Sequence, residues 1–134
     1  MVTLPNEIKE LLPEMELFPF ATASATGVPN VVPVKFVYLA RDDVFWVTDN
    51  FFNKTLANLR ENPRAALYVW SASAKRSYQI KGDTEIVTSG SDYEAMKAMV
   101  LAKKPDAPVR SLVIFRITAV YDCMPGSGAG RQVL

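Results

Sequence analysis

Three consecutive polar residues, Asn53, Lys54 and Thr55, form the stretch of this sequence that is best suited to hold a charged ligand. They follow an apolar segment and a short loop, and they open a segment with helical spacing. The first N–H groups of a helix lack partners within the helix, and the helix dipole makes that end positive. An amide, an ammonium group and a hydroxyl at such a start suit a phosphate monoester. A plain helix cap followed by an exposed lysine is the alternative interpretation, and the residues alone leave it open.

The chain contains no histidine and one cysteine, Cys123. It therefore has no histidine base, no Ser-His-Asp or Cys-His nucleophile and no histidine metal ligand. A single cysteine does not build a Cys-rich zinc site, and we find no spaced carboxylate cluster and no glycine-rich nucleotide loop. We therefore assign no catalytic side chain and no metal ligand. We expect a bound cofactor to supply any chemistry.

The overall composition predicts one globular domain of ordinary charge. The 134 residues carry a formal net charge of +1, so we expect neither a nucleic acid nor a membrane as partner. No apolar run reaches the roughly 20 residues that span a bilayer, and the acidic first 16 residues do not resemble a secretory signal. With its single cysteine, the chain is expected in the cytoplasm. We place the domain at residues 1–122 and a glycine-rich tail at residues 123–134.

The elements around the polar triplet are mostly strands. Apolar runs and turn residues predict strands at 17–24, 28–39, 44–48, 65–70, 77–87 and 111–122. Helical spacing predicts helices at 5–13, 52–62 and 91–103, the last opened by a Ser91–Glu94 capping box. Pro29 and Pro33 indicate an edge strand or a bulge, and Gly82 indicates a bulge or a barrel corner. The fold class is therefore mainly β, a small antiparallel barrel of six strands with flanking helices.

Several segments in a fixed order carry a resemblance to a known family. From residue 4 to residue 122 the chain is similar to the pyridoxamine 5'-phosphate oxidase-like, FMN-binding split-barrel family. The segments that carry the resemblance are Phe20-Ala21-Thr22-Ala23-Ser24, Gly27-Val28-Pro29-Asn30-Val31-Val32-Pro33-Val34, Phe45-Trp46-Val47-Thr48-Asp49, Asn53-Lys54-Thr55, Asn58-Leu59-Arg60-Glu61-Asn62-Pro63-Arg64-Ala65-Ala66-Leu67 and Tyr78-Gln79-Ile80-Lys81-Gly82-Asp83.

The resemblance implies a six-stranded split barrel that binds FMN as a homodimer. It implies that one strand lies along the flavin ring, that the end of a second strand contacts the ring or the ribityl chain, and that the polar triplet grips the phosphate. It also implies that residues of the second subunit close the site, with Trp70 and Gln79 as candidates, although Trp70 is alternatively a core or dimer-contact residue. In that order, the positions are Pro33, Val34 and Lys35; Thr48 and Asp49; Asn53, Lys54 and Thr55; and Trp70 and Gln79.

Two features set the chain apart from the oxidases of vitamin B6. Those enzymes are longer and use arginine and histidine around the substrate phosphate, whereas this chain has no histidine and carries Asn53 before Lys54. Its glycine-rich tail also differs from their C-terminal segment, and it either folds over the flavin or is disordered. The length is closer to that of the short FMN-binding proteins of the group.

The leading functional prediction is an FMN-dependent oxidoreductase that takes electrons from one small molecule and passes them to another. Three alternatives remain open, namely a non-enzymatic FMN electron carrier, a reductase that uses the deazaflavin F420, and an interaction domain without cofactor. F420 has a longer and more acidic tail than FMN, so an F420 site would need more basic residues than Lys54 and Lys35.

Overall fold

The computed structural model describes residues 2–134. These residues form seven strands and three short helices, joined by turns and loops. The helices are Asn6–Lys9 (α1), Lys54–Glu61 (α2) and Ser91–Lys103 (α3), with a 3-10 turn at Leu12–Glu14. None of these helices combines the length and the apolar character that a bilayer crossing requires. The strands are Phe18–Ala23 (β1), Pro29–Val34 (β2), Val37–Arg41 (β3), Val44–Asp49 (β4), Arg64–Ser71 (β5), Arg76–Val87 (β6) and Ser111–Asp122 (β7).

All seven strands belong to one antiparallel sheet with the order β2-β1-β5-β6-β7-β4-β3. The two edge strands, β2 and β3, are consecutive in the chain and are joined only by Lys35 and Phe36. A flat sheet of this order would separate its edges by about 29 Å. The three Cα steps from Val34 to Val37 span at most about 11 Å. The sheet must therefore curl until its edges approach each other, which gives a split barrel and confirms the predicted fold class.

The number of strands was predicted wrongly as six. The predicted strand at 28–39 is two strands, β2 and β3, because the chain breaks at Lys35 and Phe36 and passes from one edge of the sheet to the other. Val34 packs in the core of the barrel, whereas Phe36 packs in a second core beneath α3. The alternation of apolar residues continues through the break, and for this reason the sequence pattern does not reveal it.

The two backbone irregularities that the sequence predicted are present. Pro29 and Pro33 lie in the edge strand β2, where a missing N–H costs no sheet hydrogen bond on the open side. The pairing of β6 with β7 shifts register between Lys81 and Gly82. A Cβ atom at residue 82 would lie 2.5 Å from a ring carbon of Phe115, so only glycine fits there. Both predictions are confirmed.

Two apolar cores hold the sheet in its curled shape. The barrel core contains three fully buried rings, Phe20, Phe45 and Phe115, which meet edge to face with centroids 6.0 and 6.4 Å apart. The second core lies between α3 and the strands β4 and β7, where Met96 and Val100 pack against Leu112 and Ile114. α3 covers only this side, and α2 meets β1 and β2 through the inward-facing Thr22 and Asn30, so no helix of the described residues covers the outer face of β1, β2 and β5.

The capping box predicted at Ser91 is wrong. The N-terminal cap of α3 is Gly90, with φ of 102°, and no side chain hydrogen-bonds to the free N–H groups there. Because the chain enters the helix through this left-handed glycine, Ser91 is already helical. Asp92 and Glu94 instead place negative charge in the first turn, where it stabilises the helix dipole.

The predicted tail, residues 123–134, turns back along β7. The N–H of Val133 donates to the carbonyl of Val120 at 2.8 Å, and the N–H of Asp122 donates to the carbonyl of Arg131 at 2.9 Å. This segment covers the part of β7 that extends beyond the end of β4. Within one subunit it therefore lies at the end of β7 opposite to Ser111, far from the β4–α2 loop.

Candidate functional site

The gap between the two edges of the sheet opens into a pocket of about 450 Å³. Its walls come from β2, from the Lys35–Phe36 link, from the end of β4 and from the loop that leads into α2. The lining residues are Leu17, Asn30, Val32, Pro33, Val34, Lys35, Phe36, Thr48, Asn50, Phe51, Phe52, Asn53, Lys54, Thr55 and Lys104. The volume and the mainly apolar walls with a few polar groups are typical of a small-molecule site.

Asp49 fixes the start of the β4–α2 loop. Its side chain is fully buried, and each carboxylate oxygen accepts one hydrogen bond. The N–H of Phe52 donates to Oδ1 at 2.8 Å, and the hydroxyl of Ser111 donates to Oδ2 at 2.8 Å. The bond to Phe52 forms a local turn, and the bond to Ser111 fixes that turn to β7.

The segment that precedes β7 holds the rest of the loop. Asn50 accepts a hydrogen bond from the N–H of Val109 through Oδ1 at 3.0 Å. The guanidinium of Arg110 donates to the carbonyl of Phe52 at 3.1 Å. These two hydrogen bonds and the turn at Asp49 together fix the path of the loop into α2.

The first turn of α2 presents free backbone donors. The first intrahelical bond runs from the N–H of Ala57 to the carbonyl of Asn53 at 3.1 Å, and the N–H groups of residues 54–56 have no acceptor among the described residues. Asn53 occupies the cap position, but its side chain makes no capping hydrogen bond. An uncapped helix start beside a pocket is suited to bind an anion.

A small polar network orients Thr55 at this helix start. The Asn30 amide donates to the hydroxyl oxygen of Thr55 at 3.0 Å and to that of Thr22 at 3.2 Å. Asn58 also donates to Thr22, at 3.0 Å. Since the Thr55 oxygen already accepts from Asn30, its own proton is available to donate to a ligand.

The charged side chains that line the pocket are all positive. Lys35, Lys54 and Lys104 line it, and none of its lining residues carries a carboxylate. Lys104 also lies 3.6 Å from Asp106, whereas Lys35 and Lys54 make no ion pair within residues 2–134. The pocket therefore favours an anionic ligand, or a ligand with an anionic group at the α2 end.

The other walls are apolar and include one unpaired hydroxyl. Val32, Pro33, Val34 and Phe36 supply a surface against which a flat ring could pack. The Thr48 side chain lies beside them, and its buried hydroxyl finds no hydrogen-bond partner among the described residues. An unpaired buried hydroxyl is costly, and a polar ligand atom would relieve that cost.

Seven of the ten residues predicted for the cofactor line this one pocket. They are Pro33, Val34, Lys35, Thr48, Asn53, Lys54 and Thr55. Asp49 lies behind the pocket wall, where both of its oxygens are engaged by the protein.

The remaining two predicted residues lie on the outer face of the sheet. Trp70 stacks on Tyr68 with ring centroids 5.3 Å apart, and Gln79 pairs with Tyr68 across β5 and β6. The single subunit does not bring either residue to the pocket. Their predicted role, in which they close the site of a second subunit, stays a prediction.

Several residues of the pocket were not predicted from the sequence, and of these Asn30, Asn50 and Lys104 are polar. Asn30 had a usable signal, because it pairs with Thr22 across the predicted hairpin and both side chains face the same side. Lys104 had none, since it follows α3 and reaches the pocket only through the packing of that helix. Groups of three or more potential metal-ligating side chains do not occur in the described part of the chain.

The sequence is similar over most of its length to one protein family. The sequence model described as pyridoxamine 5'-phosphate oxidase matches residues 4–124. An uncharacterised protein of Methanocaldococcus jannaschii is 35% identical over 136 residues, which cover 99% of this chain and 89% of that protein.

Solved structures with the same fold belong to proteins of different kinds. HupZ of Group A Streptococcus is 26% identical, with a TM-score of 0.81 over 95% of this chain and 99% of that chain. An FMN-binding protein of Syntrophomonas wolfei has a TM-score of 0.70 at 16% identity, over 87% of this chain and 84% of that one. An F420 reductase has a TM-score of 0.67 at 21% identity, over 87% and 98%. These last two likenesses show the fold alone.

The family match extends across every strand of the sheet and across the whole pocket lining, Lys104 included. It agrees with the split-barrel fold of the sheet. The chain belongs to the pyridoxamine 5'-phosphate oxidase family.

Proposed function

We propose that the pocket binds FMN and that the protein is an FMN-dependent oxidoreductase. The observation that carries this proposal is the positive charge of the pocket. Three lysines and no carboxylate line it, and three free N–H groups of α2 lie beside them. A phosphate monoester matches that combination, because the N–H groups and the Lys54 ammonium each donate to its oxygens.

The rest of the pocket fits the remainder of FMN. The wall formed by Val32, Pro33 and Val34 suits the flat apolar ring, and the unpaired hydroxyl of Thr48 suits its polar edge. Lys35 belongs to the same wall and places a positive charge beside it. The residues present therefore fit the cofactor at both of its ends.

Bound FMN would supply the transfer of hydride or electrons. The task of the chain is then to bind and orient the cofactor: α2 and Lys54 hold the phosphate, and the Asp49 turn keeps the loop in place. No side chain is assigned as acid or base. The electron donor and acceptor are proposed to be small molecules, and the cytoplasm is the proposed location because the chain has one unpaired cysteine.

A homodimer is part of the proposal. The outer face of β1, β2 and β5 carries a row formed by Val31, Ala21 and Ala66, which are paired across the three strands. Val31 is 65% exposed. The same face includes Trp70 and Gln79, and it reaches the rim of the pocket at Pro33. A second subunit on this face would cover it and would bring Trp70 and Gln79 near the pocket of its partner.

The test is a titration of the purified protein with FMN, followed by flavin fluorescence. We expect saturable binding, and we expect Lys54→Ala to weaken it about ten- to a hundredfold, the cost of one charge-assisted hydrogen bond. Lys97→Ala is the matched control, because Lys97 lies on α3 outside the pocket. Absence of binding, or equal affinity of the Lys54→Ala variant and the wild type, would overturn the proposal. Turnover of a reduced nicotinamide then separates an enzyme from an electron carrier.

One observation favours F420 as a second candidate. Lys104 is a third cation in the pocket beside Lys35 and Lys54, and the longer acidic tail of F420 needs such additional positive charge. If F420 is the cofactor, Lys104→Ala should weaken F420 binding and leave FMN binding near its wild-type value. An equal effect on both, or stronger binding of FMN by the wild-type protein, would exclude this candidate.

A further inference from the structure

A second groove, of about 940 Å³, lies next to the FMN pocket. It runs between the edge strand β3, the segment at residues 9–18 and the C-terminal half of α3. The two cavities share Leu17, Lys35 and Phe36 as a common wall. The remaining lining residues are Lys9, Leu12, Pro13, Met15, Glu16, Phe18, Val37, Tyr38, Leu39, Phe45, Met99 and Lys103.

The groove has an apolar floor made of adaptable side chains. Leu12, Met15, Leu39 and Met99 line it, and Met99 is 42% exposed although it is a large apolar residue on a helix. Methionine has an unbranched and polarizable side chain that adjusts to different ligand shapes. Two methionines, one from the segment at residues 9–18 and one from α3, therefore suit an apolar body of moderate size.

The charge at the rim is mainly positive. Lys35 and Lys103 line the groove and make no ion pair within residues 2–134. Lys9 is neutralised by Asp42 at 2.6 Å. Glu16 is the one carboxylate among the lining residues, so two unpaired cations face one anion.

We infer that this groove binds an amphipathic organic anion, a molecule with an apolar body and one carboxylate, sulfonate or phosphate group. The apolar body lies against the methionines and Leu39, and the anionic group lies near Lys103 at the open rim. Because Lys35 and Phe36 separate the two cavities, this ligand lies beside whatever fills the first pocket. The inference does not depend on FMN binding.

The test uses the fluorescent anion 8-anilinonaphthalene-1-sulfonate, which has the required chemistry, with N-phenyl-1-naphthylamine as its uncharged analogue. We expect one saturable site for the sulfonate. Lys103→Gln should weaken the sulfonate roughly two- to fivefold, as expected for one exposed ionic contact, and should leave the uncharged analogue unchanged. Lys97→Gln on the same helix is the control, because Lys97 does not line the groove.

A second pair of variants tests the apolar floor. Met99→Asp should weaken both probes about tenfold or more, because a carboxylate then lies in the apolar wall, whereas Met99→Leu should bind like the wild type. Met99 is on the surface, so these variants should fold normally, and thermal melts would check this. Equal binding by the wild type, Lys103→Gln and Met99→Asp would overturn the inference.

The outcome also separates the two cavities. Lys54→Ala should leave binding of the sulfonate unchanged while it weakens FMN. A second result to distinguish is a wild type that fails to bind FMN and still binds the sulfonate at a site that depends on Met99. That result would overturn the proposed function and support the inference about the groove. A sulfonate signal that depends on Lys54 and not on Met99 would place the probe in the first pocket and overturn the inference.

Discussion

Asp49 illustrates how a single residue can matter to a site that it does not line. The sequence suggested direct contact with the cofactor, yet its two oxygens are engaged by Phe52 and Ser111, and the carboxylate is fully buried. A sequence pattern identifies a polar residue after a strand but does not show which groups it meets. The partner Ser111 is 62 positions away, so its contact with Asp49 is visible only in the fold.

Tyr38 gives a prediction about pH at the same scale. Burial raises the pKa of its hydroxyl, which has no hydrogen-bond partner among the described residues. As the pH rises above about 10, tyrosine ionises first in the unfolded chain, so stability falls until the pH passes the raised pKa of the folded protein. Tyr38→Phe removes this contribution, and we expect a shallower loss of stability between pH 9 and about 11.

Urea unfolding of wild type and Tyr38→Phe at several pH values would check this. At pH 7 the variant should be as stable as the wild type or slightly more stable, because no partner loses a hydrogen bond. Tyr78, whose pKa is also raised, mainly by burial, remains in both proteins, so some alkaline loss persists. An identical pH profile for the two proteins would contradict the prediction.

Elements were predictable where the local pattern and the fold agree. The helices α2 and α3, the strands on either side of α2 and the bulge at Gly82 follow from apolar spacing and from the position of glycine and proline. The break between β2 and β3 does not, because alternation continues through Lys35 while the chain changes edges. The cap of α3 was misplaced by one residue, since Gly90 takes a conformation that the Ser91–Glu94 pattern does not reveal.

The bulge in β6 can be tested with one methyl group. In Gly82→Ala the new Cβ would lie 2.5 Å from a Phe115 ring carbon and 2.6 Å from the carbonyl oxygen of Arg116. The ring or the backbone must move, and we expect a loss of about 1–3 kcal/mol in the free energy of unfolding. Gly128→Ala is the control, because its nearest contact is Asp122 at 3.6 Å, and it should change stability by less than about 0.5 kcal/mol.

Denaturant unfolding of both variants would measure the difference. Equal stability of Gly82→Ala and Gly128→Ala would mean that the β6–β7 pairing adjusts without cost, which would contradict the tight contact at Phe115. Since Gly82 lies on the strand pair far from Lys54, FMN affinity should not change in the folded fraction.

At the scale of the whole molecule, the prediction concerns the oligomeric state. The row of Val31, Ala21 and Ala66 forms an apolar strip on the outer face, without a covering helix. We expect light scattering at micromolar concentration to give twice the 14.9 kDa of one chain. Val31→Glu, which places a charge at the edge-strand end of the strip, should shift the protein to the monomer. Arg41→Glu on the edge strand β3 is the control and should remain a dimer.

A monomeric wild type would contradict this prediction. It would also leave Trp70 and Gln79 without a role at the pocket, because one subunit alone does not bring them there. The pocket that we propose for the cofactor could be located from the sequence because its main residues are near each other in the chain. The proposed dimer contact could not be located in this way, because it depends on which sheet face α3 leaves uncovered.

The position of β7 has a consequence for how this protein folds. This strand is the last along the chain and fills the space between β6 and β4, with Ser111 beside Asp49 and Arg116 beside Asp83. Until β7 arrives, both neighbours have an unpaired edge, and the loop that carries Asp49 lacks its partner. Pairings between such distant segments close slowly, so folding should take milliseconds to seconds and be all-or-none. A chain that ends before residue 111 should expose the unpaired edges of β4 and β6 and aggregate. We expect no functional half-barrel as an intermediate.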